Sequence, residues 1–280
     1  MSINEQHMLA EVQRALVEDI GSGDITARLL PETLEVKAHI LSREPMVVCG
    51  IPWVNQVFHS INPAIHLDWQ VQDGDHLDTP QTLCQIKGQA RDILTAERTA
   101  LNFLQTLSAT ATKTAEYVVA VKNTSCRILD TRKTLPGLRY AQKYAVTCGG
   151  GFNHRLGLYD AFLIKENHIK ACGSLTKAIH YARQTRPDVL LEVEVETLSE
   201  LQEALKATPD RILLDNFSPQ LLIEAVKLAK PFKIELEASG GVNLNQVKTI
   251  AQTGVSWISI GALTKSIQAI DLSLLFDEAH

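Results

Sequence analysis

The sequence predicts an α/β chain in two parts: an N-terminal α+β domain over residues 1–105 and an open, incomplete β/α barrel over 106–280. Three observations predict it. At 280 residues the chain exceeds one compact domain of ~100–150 residues and suits a barrel with a smaller companion. Its texture changes near residue 100, where short alternating segments give way to a long helical pattern. Beyond that point apolar runs alternate with amphipathic stretches, about twenty residues apart, the length of one βα unit.

The elements follow in order. Residues 5–17 and 52–60 carry helical periodicity, while 36–42, 46–49, 65–71 and 82–88 alternate as half-buried strands do. Asp73-Gly74-Asp75 supplies a turn between two of those strands. From 94 to 122 Ala, Leu and Thr recur with a period near 3.6, which predicts one long helix. Strands are then expected at 127–130, 161–164, 190–195, 211–214, 233–236 and 257–260, with helices at 175–185, 199–207, 219–228 and 244–252. Strands that are apolar throughout suit a parallel sheet wrapped by helices. Six are legible, and a regular barrel has eight, so the barrel is expected to be incomplete. The segment after about 265 is expected to pack back on the first domain.

Bulk composition narrows the function. Hydrophobic residues make up 45% of the chain, enough for a sizeable core. A net charge of -5 gives no reason to expect nucleic acid or an anionic membrane as partner, so any anion site must be a local basic cluster. The five cysteines lie at least 22 residues apart, without CxxC, which fits reduced thiols. Residues 1–20 are acidic and lack the layout of a secretory signal, and no apolar run reaches the ~20 residues of a membrane span. A cytoplasmic enzyme is expected.

In a β/α barrel the chemistry sits where strands lead into helices. The first such end reads Asp130-Thr131-Arg132-Lys133-Thr134 and the second Lys165-Glu166-Asn167-His168. The third strand carries Glu192, Glu194 and Glu196, and the fourth ends in Asp215-Asn216. The fifth ends in Glu237-Ala238-Ser239-Gly240-Gly241 and the sixth in Gly261-Ala262. One charged strand end is ordinary, but six in succession make a ring around the barrel mouth. Its cations suit an anionic substrate, and its carboxylates suit Mg²⁺, which prefers oxygen ligands and bridges phosphates. Ser239-Gly240-Gly241 and Gly261 allow backbone N–H groups to approach a phosphate. Between the first two strands, Gly149-Gly150-Gly151 precedes Asn153, His154 and Arg155, which reads as a loop folding over a ligand with two cationic donors.

Several residues take plainer readings. Cys148 has no partner base in sequence and reads as packing. Trp53, Trp69 and Trp257 read as core or interface anchors. His168 reads as orienting its neighbours, and Asp24 and Thr26 as a structural turn or an inter-subunit contact.

On these residues the chain resembles the quinolinate phosphoribosyltransferases. The likeness covers nearly the whole chain, from Glu18-Asp19-Ile20-Gly21-Ser22-Gly23-Asp24-Ile25-Thr26 through Ala96-Glu97-Arg98-Thr99 to Glu237-Ala238-Ser239-Gly240-Gly241. Asp130-Thr131-Arg132-Lys133-Thr134, and Gly149-Gly150-Gly151 with Asn153-His154-Arg155, are its most specific blocks. The resemblance implies an N-terminal α/β sandwich, a barrel of about seven strands, and a homodimer with active sites shared across its interface. It implies that quinolinate's carboxylates meet Arg98 of the neighbouring subunit together with Arg132, His154, Arg155 and Lys165. Lys133 would reach phosphoribosyl pyrophosphate and the departing pyrophosphate, and Thr131 would be a further substrate contact. Glu194 and Asp215 would hold the ribose hydroxyls and Mg²⁺. Ser239, Gly240 and Gly241, with Ile260, Gly261 and Ala262, would cradle the 5-phosphate. Arg98, Lys133, Glu194 and Asp215 are thereby the expected catalytic set. The chain departs from the pattern at Lys265, where many members carry His.

The chemistry agrees with that inventory. A dianionic substrate calls for several cations, and Arg pairs carboxylates bidentately. Two other readings remain open: a nicotinate-specific or transport-operon relative of the same fold, and a barrel aldolase using Lys165 as a Schiff base. A carrier module of the lipoyl type, prompted by residues 71–77, lacks a lysine at its hairpin tip.

Overall fold

The computed structural model describes residues 3–277. Its elements run α1 (Glu5–Ile20), β1 (Glu35–Ser42), β2 (Met46–Val47), α2 (Ile51–Ile61), β3 (His66–Trp69), β4 (His76–Leu77), β5 (Gln81–Gln89) and α3 (Ala90–Val121). They continue with β6 (Arg127–Leu129), α4 (Arg139–Cys148), β7 (Ala161–Ile164), α5 (Glu166–Cys172), α6 (Leu175–Thr185), β8 (Leu190–Val195) and α7 (Leu198–Ala207). Then come β9 (Arg211–Asp215), α8 (Pro219–Ala229), β10 (Glu235–Ser239), α9 (Leu244–Ala251), β11 (Trp257–Ser259), α10 (Ala262–Lys265) and β12 (Leu272–Phe276).

These elements group into two compact units. The first comprises Met1–Ala115, Leu135–Gly150 and Ser266–His280, the second Glu116–Thr134 and Gly151–Lys265. The chain thus passes between units at four places. Position 105 lies inside α3, which runs unbroken through it, and β12 returns to pair with β1.

The first unit is built on an antiparallel sheet in the order β12-β1-β5-β3. Alternation along β1 turns Ala38, Ile40 and Ser42 inward. Ala38 and Ile40 join Trp53 and Phe58 of α2 and Leu101, Leu104 and Leu107 of α3 in one apolar cluster, while Ser42 is buried with its hydroxyl bonded. That hydroxyl donates to the Glu44 carbonyl oxygen. Trp53 donates its indole N–H to the buried carboxylate of Glu11 at 2.8 Å, which satisfies both polar groups. Asp24 ties its turn by accepting from the N–H groups of Thr26 and Ala27, both at 2.9 Å.

The second unit holds a six-stranded, all-parallel sheet in the order β6-β11-β10-β9-β8-β7. Helices α6 to α9 begin on Ser174, Thr197, Ser218 and Asn243, each accepting from a first-turn N–H. The six strands are those legible in sequence. Where the resemblance implies about seven, the free side of β6 carries a one-residue parallel bridge, Leu129 to Phe152. The fifth strand starts at Glu235, two residues later than expected. Lys230–Phe232 forms a 3-10 turn, and Lys233 takes a left-handed φ of 57°, which no strand accommodates. Helices α4 and α5 were not expected. Neither starts on a Ser, Thr, Asp or Asn cap, so the usual start signal is missing. Among the described residues, no helix is long and apolar enough to cross a membrane.

Candidate active site

Register decides which charged residues share a face of the parallel sheet. Glu192 stands beside Arg211 and Arg211 beside Glu235. One step up the strands, Glu194 stands beside Leu213, Leu213 beside Glu237, and Glu237 beside Trp257. The next step brings Asp215 beside Ser239. Because side chains alternate with period two, Glu192 and Glu194, Arg211 and Asp215, and Glu237 and Ser239 all project to one side.

At the C-terminal end of that face, carboxylate oxygens of Glu194, Glu196 and Asp215 lie within 4.8 Å of one another. Lys165, the residue before α5, pairs its ammonium with Glu194. Asn216, held at φ 57°, donates its amide to Asp215 at 2.8 Å. An all-oxygen, partly exposed donor set of this kind suits Mg²⁺, which keeps several of its waters.

Beside this cluster lies a cavity of about 540 Å³. Arg132, Arg155 and Lys165 line it together with apolar Leu158, Phe162 and Ile164. Burial, and then the charge of neighbouring Arg132, push the Arg155 guanidinium below its ordinary value. Two guanidiniums facing one apolar-walled cavity repel each other unless an anion lies between them. His168 accepts from the Lys165 backbone N–H at 3.0 Å, which fixes the start of α5.

The loop carrying Arg155 is tied down. Gly149 packs so closely that a Cβ there would lie 2.3 Å from the Ala111 carbonyl oxygen. The carboxylate of Asp130, fully buried, accepts from the Asn153 amide at 2.6 Å and from the His154 N–H at 2.8 Å. These contacts hold in place the connection that the three glycines suggested would fold over a ligand.

His154 also lies differently from the expectation that it faces substrate. Its side chain is buried, with Nε2 2.7 Å from Glu192 and 3.7 Å from Glu237, while Nδ1 accepts from the Arg155 N–H at 2.8 Å. Glu192 and Glu237, expected on the ring at the mouth, are sealed beneath it with Arg211 3.4 Å from Glu237. Burial, and next the neighbouring charge of Glu192, push the Glu237 carboxyl up to about 8. A carboxyl raised on folding binds its proton more tightly in the folded state than in the unfolded one. The stability it contributes is therefore complete below about pH 4.5 and lost as pH rises to about 8, a fall of roughly 4 kcal/mol. Chemical unfolding at pH 5 and pH 8.5 should show this fall in the parent, and a much smaller one in Glu237→Gln.

On the other side of the mouth, β10 and β11 deliver the glycine segments. Gly240 adopts φ 104°, and a Cβ there would lie 2.1 Å from Asn216 Oδ1. Gly240→Ala is therefore expected to cost about 2–4 kcal/mol and to weaken binding of a phosphate substrate several-fold. Melting and substrate titration on the purified variant check both. At Gly261 a Cβ would press the Lys133 side chain at 2.9 Å. Lys133 itself is held at both ends of its peptide. Its N–H donates to Thr131 Oγ1 at 3.1 Å, and its carbonyl accepts from Thr264 Oγ1 at 2.8 Å. Ile260, expected with Gly261 and Ala262 at the phosphate, gives its N–H to the Leu129 carbonyl at 2.9 Å.

Arg98 lies on α3 in the first unit, with an exposed side chain. The second unit thus gathers Arg132, Arg155 and Lys165 on one cavity and Glu194 and Asp215 in one acidic cluster. Ser239 ends β10, and Gly240 and Gly241 follow it. Arg211, which opens β9 rather than ending it, carries no signal in sequence, while Asp130 and Glu196 stood among the strand-end residues without a role of their own.

Two sequence profiles of one family together cover nearly all of the chain. Sequence profiles described as "Quinolinate phosphoribosyl transferase, N-terminal domain" and "C-terminal domain" match residues 24–108 and 110–275. A nicotinate-nucleotide pyrophosphorylase (carboxylating) of Mycobacterium leprae is 41% identical, over 94% of this chain and 95% of its own. Quinolinate phosphoribosyltransferase (decarboxylating) 1b of Nicotiana tabacum is 40% identical, over 95% of this chain and 81% of its own. The solved structure of the nicotinate-nucleotide pyrophosphorylase from Francisella tularensis superposes with a TM-score of 0.96 at 44% identity, covering 99% of this chain and 98% of that one.

Proposed function

The chain belongs to the quinolinate phosphoribosyltransferase family, and from that membership we infer how its own residues carry out the reaction. It is a transferase of NAD biosynthesis that moves the phosphoribosyl group of phosphoribosyl pyrophosphate onto quinolinate. Decarboxylation yields nicotinate mononucleotide, with pyrophosphate and carbon dioxide released.

The observation that carries the assignment of roles is the pairing of Arg132 and Arg155 on one apolar-walled cavity beside an acidic cluster. The guanidiniums hold quinolinate's two carboxylates bidentately, with Lys165 as a further cation and the pyridine ring against Phe162 and Leu158. This orients the ring nitrogen toward the acidic cluster. Glu194 and Asp215 take the ribose hydroxyls and face the ribosyl carbon as it loses pyrophosphate and becomes electron-poor. Lys133 meets the leaving pyrophosphate, and Gly240, Gly241, Gly261 and Ala262 surround the 5-phosphate. Glu194 and Asp215, joined by Glu196, would hold Mg²⁺, which when bound offsets the negative charge of the pyrophosphate. After transfer the ring nitrogen carries a positive charge, which receives the electron pair left at the adjacent carbon when carbon dioxide departs. No covalent bond to Lys165 is needed, and its ion pair with Glu194 fits an electrostatic role. His154 supports Arg155 from beneath through the N–H it accepts.

The enzyme works in the cytoplasm as a homodimer in which the partner's Arg98 completes each dicarboxylate site. Leu158, which lines the cavity, and Tyr159 next to it in the chain are 75% and 73% exposed, an apolar edge that a second protomer would cover. Co-expression of Arg98→Ala with Arg132→Ala tests this. If Arg98 acts across the interface, mixed dimers hold one intact site and recover about a quarter of parental turnover from two inactive parents. No recovery would place Arg98 in its own subunit's site.

A further inference from the structure

The described cysteines include one pair that the reaction does not use. Cys49, Cys148 and Asp73 bring a ligating atom each to within 4.8 Å in the first unit. Cys49 lies just before α2 and is fully buried, whereas Cys148, the last residue of α4, is half-buried and reachable. The third member is already occupied. Asp73 Oδ1 accepts from the N–H groups of Gly50 and Ile51 at 3.0 and 3.1 Å, and Oδ2 from the Tyr144 hydroxyl at 2.8 Å. A carboxylate so engaged is a poor metal ligand, which leaves two thiols facing each other across 99 residues of sequence.

We propose that Cys49 and Cys148 are a reversible oxidation site at which a peroxide joins them in an intramolecular disulfide. The two thiols differ in the way such chemistry needs. The Cys148 thiol is drawn below its ordinary value, chiefly by the hydrogen bond from Cys49, while burial pushes Cys49 well above its own. Cys148 is therefore the sulfur that attacks first. Its thiolate takes one oxygen from hydrogen peroxide, breaking the O–O bond and forming a sulfenic acid. The peroxide accepts two electrons, and its other oxygen leaves as hydroxide, which takes up the proton Cys148 gave up. The Cys49 sulfur then bonds to the sulfenic sulfur. Its proton and the displaced hydroxyl leave as a second water. The other described thiols are unsuited. Cys84 and Cys126 are buried and pushed up to about 12, and Cys172 has no cysteine beside it.

The test is peptide mapping of the full-length protein, reduced and then treated with hydrogen peroxide, without reductant during digestion. The expected result is one linked peptide pair holding Cys49 and Cys148 that dithiothreitol separates. In Cys49→Ser the reaction should stop at a dimedone-reactive Cys148, which separates the attacking role from the resolving one. Before oxidation, alkylation of Cys148 should outpace that of Cys84 and Cys126 about ten-fold or more. The proposal is overturned if Cys148 in the parent is trapped by dimedone or over-oxidised without linkage to Cys49. Faster oxidation of Cys172 than of Cys148 overturns it equally. The parent's own map decides the matter, so a variant that fails to fold costs nothing.

Discussion

Arg132→Ala and Arg155→Ala are each expected to lower kcat/KM for quinolinate by about 100- to 1000-fold, chiefly through KM. Each guanidinium faces the same apolar-walled cavity, where a bidentate pair with a carboxylate contributes about 3–4 kcal/mol. At 1.4 kcal/mol per decade that is two to three orders of magnitude. Lysine should rescue neither position well, because it offers a point charge in place of a planar fork. The double variant should lose less than the product of the two. The Arg132 charge acts against that of Arg155 across the cavity, and removing one relieves the other. Steady-state kinetics with quinolinate and phosphoribosyl pyrophosphate varied separately checks this. A loss confined to phosphoribosyl pyrophosphate would move both arginines to the other substrate.

Asp130→Ala is expected to cost about 3–5 kcal/mol of stability and to raise KM for quinolinate as well. The carboxylate is fully buried and holds both the Asn153 amide and the His154 N–H. Removing it strands two donors away from water, at about 1–3 kcal/mol each, and the lost charge-assisted bonds add to that. Arg155 follows His154 directly, so a loosened loop misplaces the guanidinium that grips substrate. Asp130→Asn keeps one acceptor and should lie between. Urea unfolding measures the first effect and quinolinate titration the second. An Asp130→Ala protein of full stability with a weakened site would make Asp130 a substrate contact.

Much of this was legible in sequence, and the reasons are local. The six parallel strands announced themselves as apolar runs because both of their faces are covered. Arg132 and Lys165 stood out because cations at successive strand ends of a barrel share one mouth, and Arg155 because it follows the glycine run between those strands. What was hidden depended on side-chain direction and on residues far apart. Glu192 and Glu194 look alike in Leu190–Val195, yet two residues of rise put Glu192 in the sealed interior and Glu194 at the rim. His154 sits beside Arg155 but points inward, a choice made by Glu192 and Glu237 from other strands. Gly149 read as part of a loop folding over a ligand. Its reason is the carbonyl of Ala111, on a helix whose path the sequence does not reveal. Helix α4 lacked a cap, and nothing in the sequence marked residues 135–150 as belonging with the first unit, although the segment after about 265 was expected there.

The most direct test is product formation by the purified protein with phosphoribosyl pyrophosphate and Mg²⁺, offered quinolinate or nicotinate in parallel. The two differ by one carboxylate, so the paired arginines decide between them. The expected result is nicotinate mononucleotide and an equal amount of carbon dioxide from quinolinate, with nicotinate turned over at a small fraction of that rate. Equal or preferred turnover of nicotinate would contradict the reading of the Arg132 and Arg155 cavity as a dicarboxylate site.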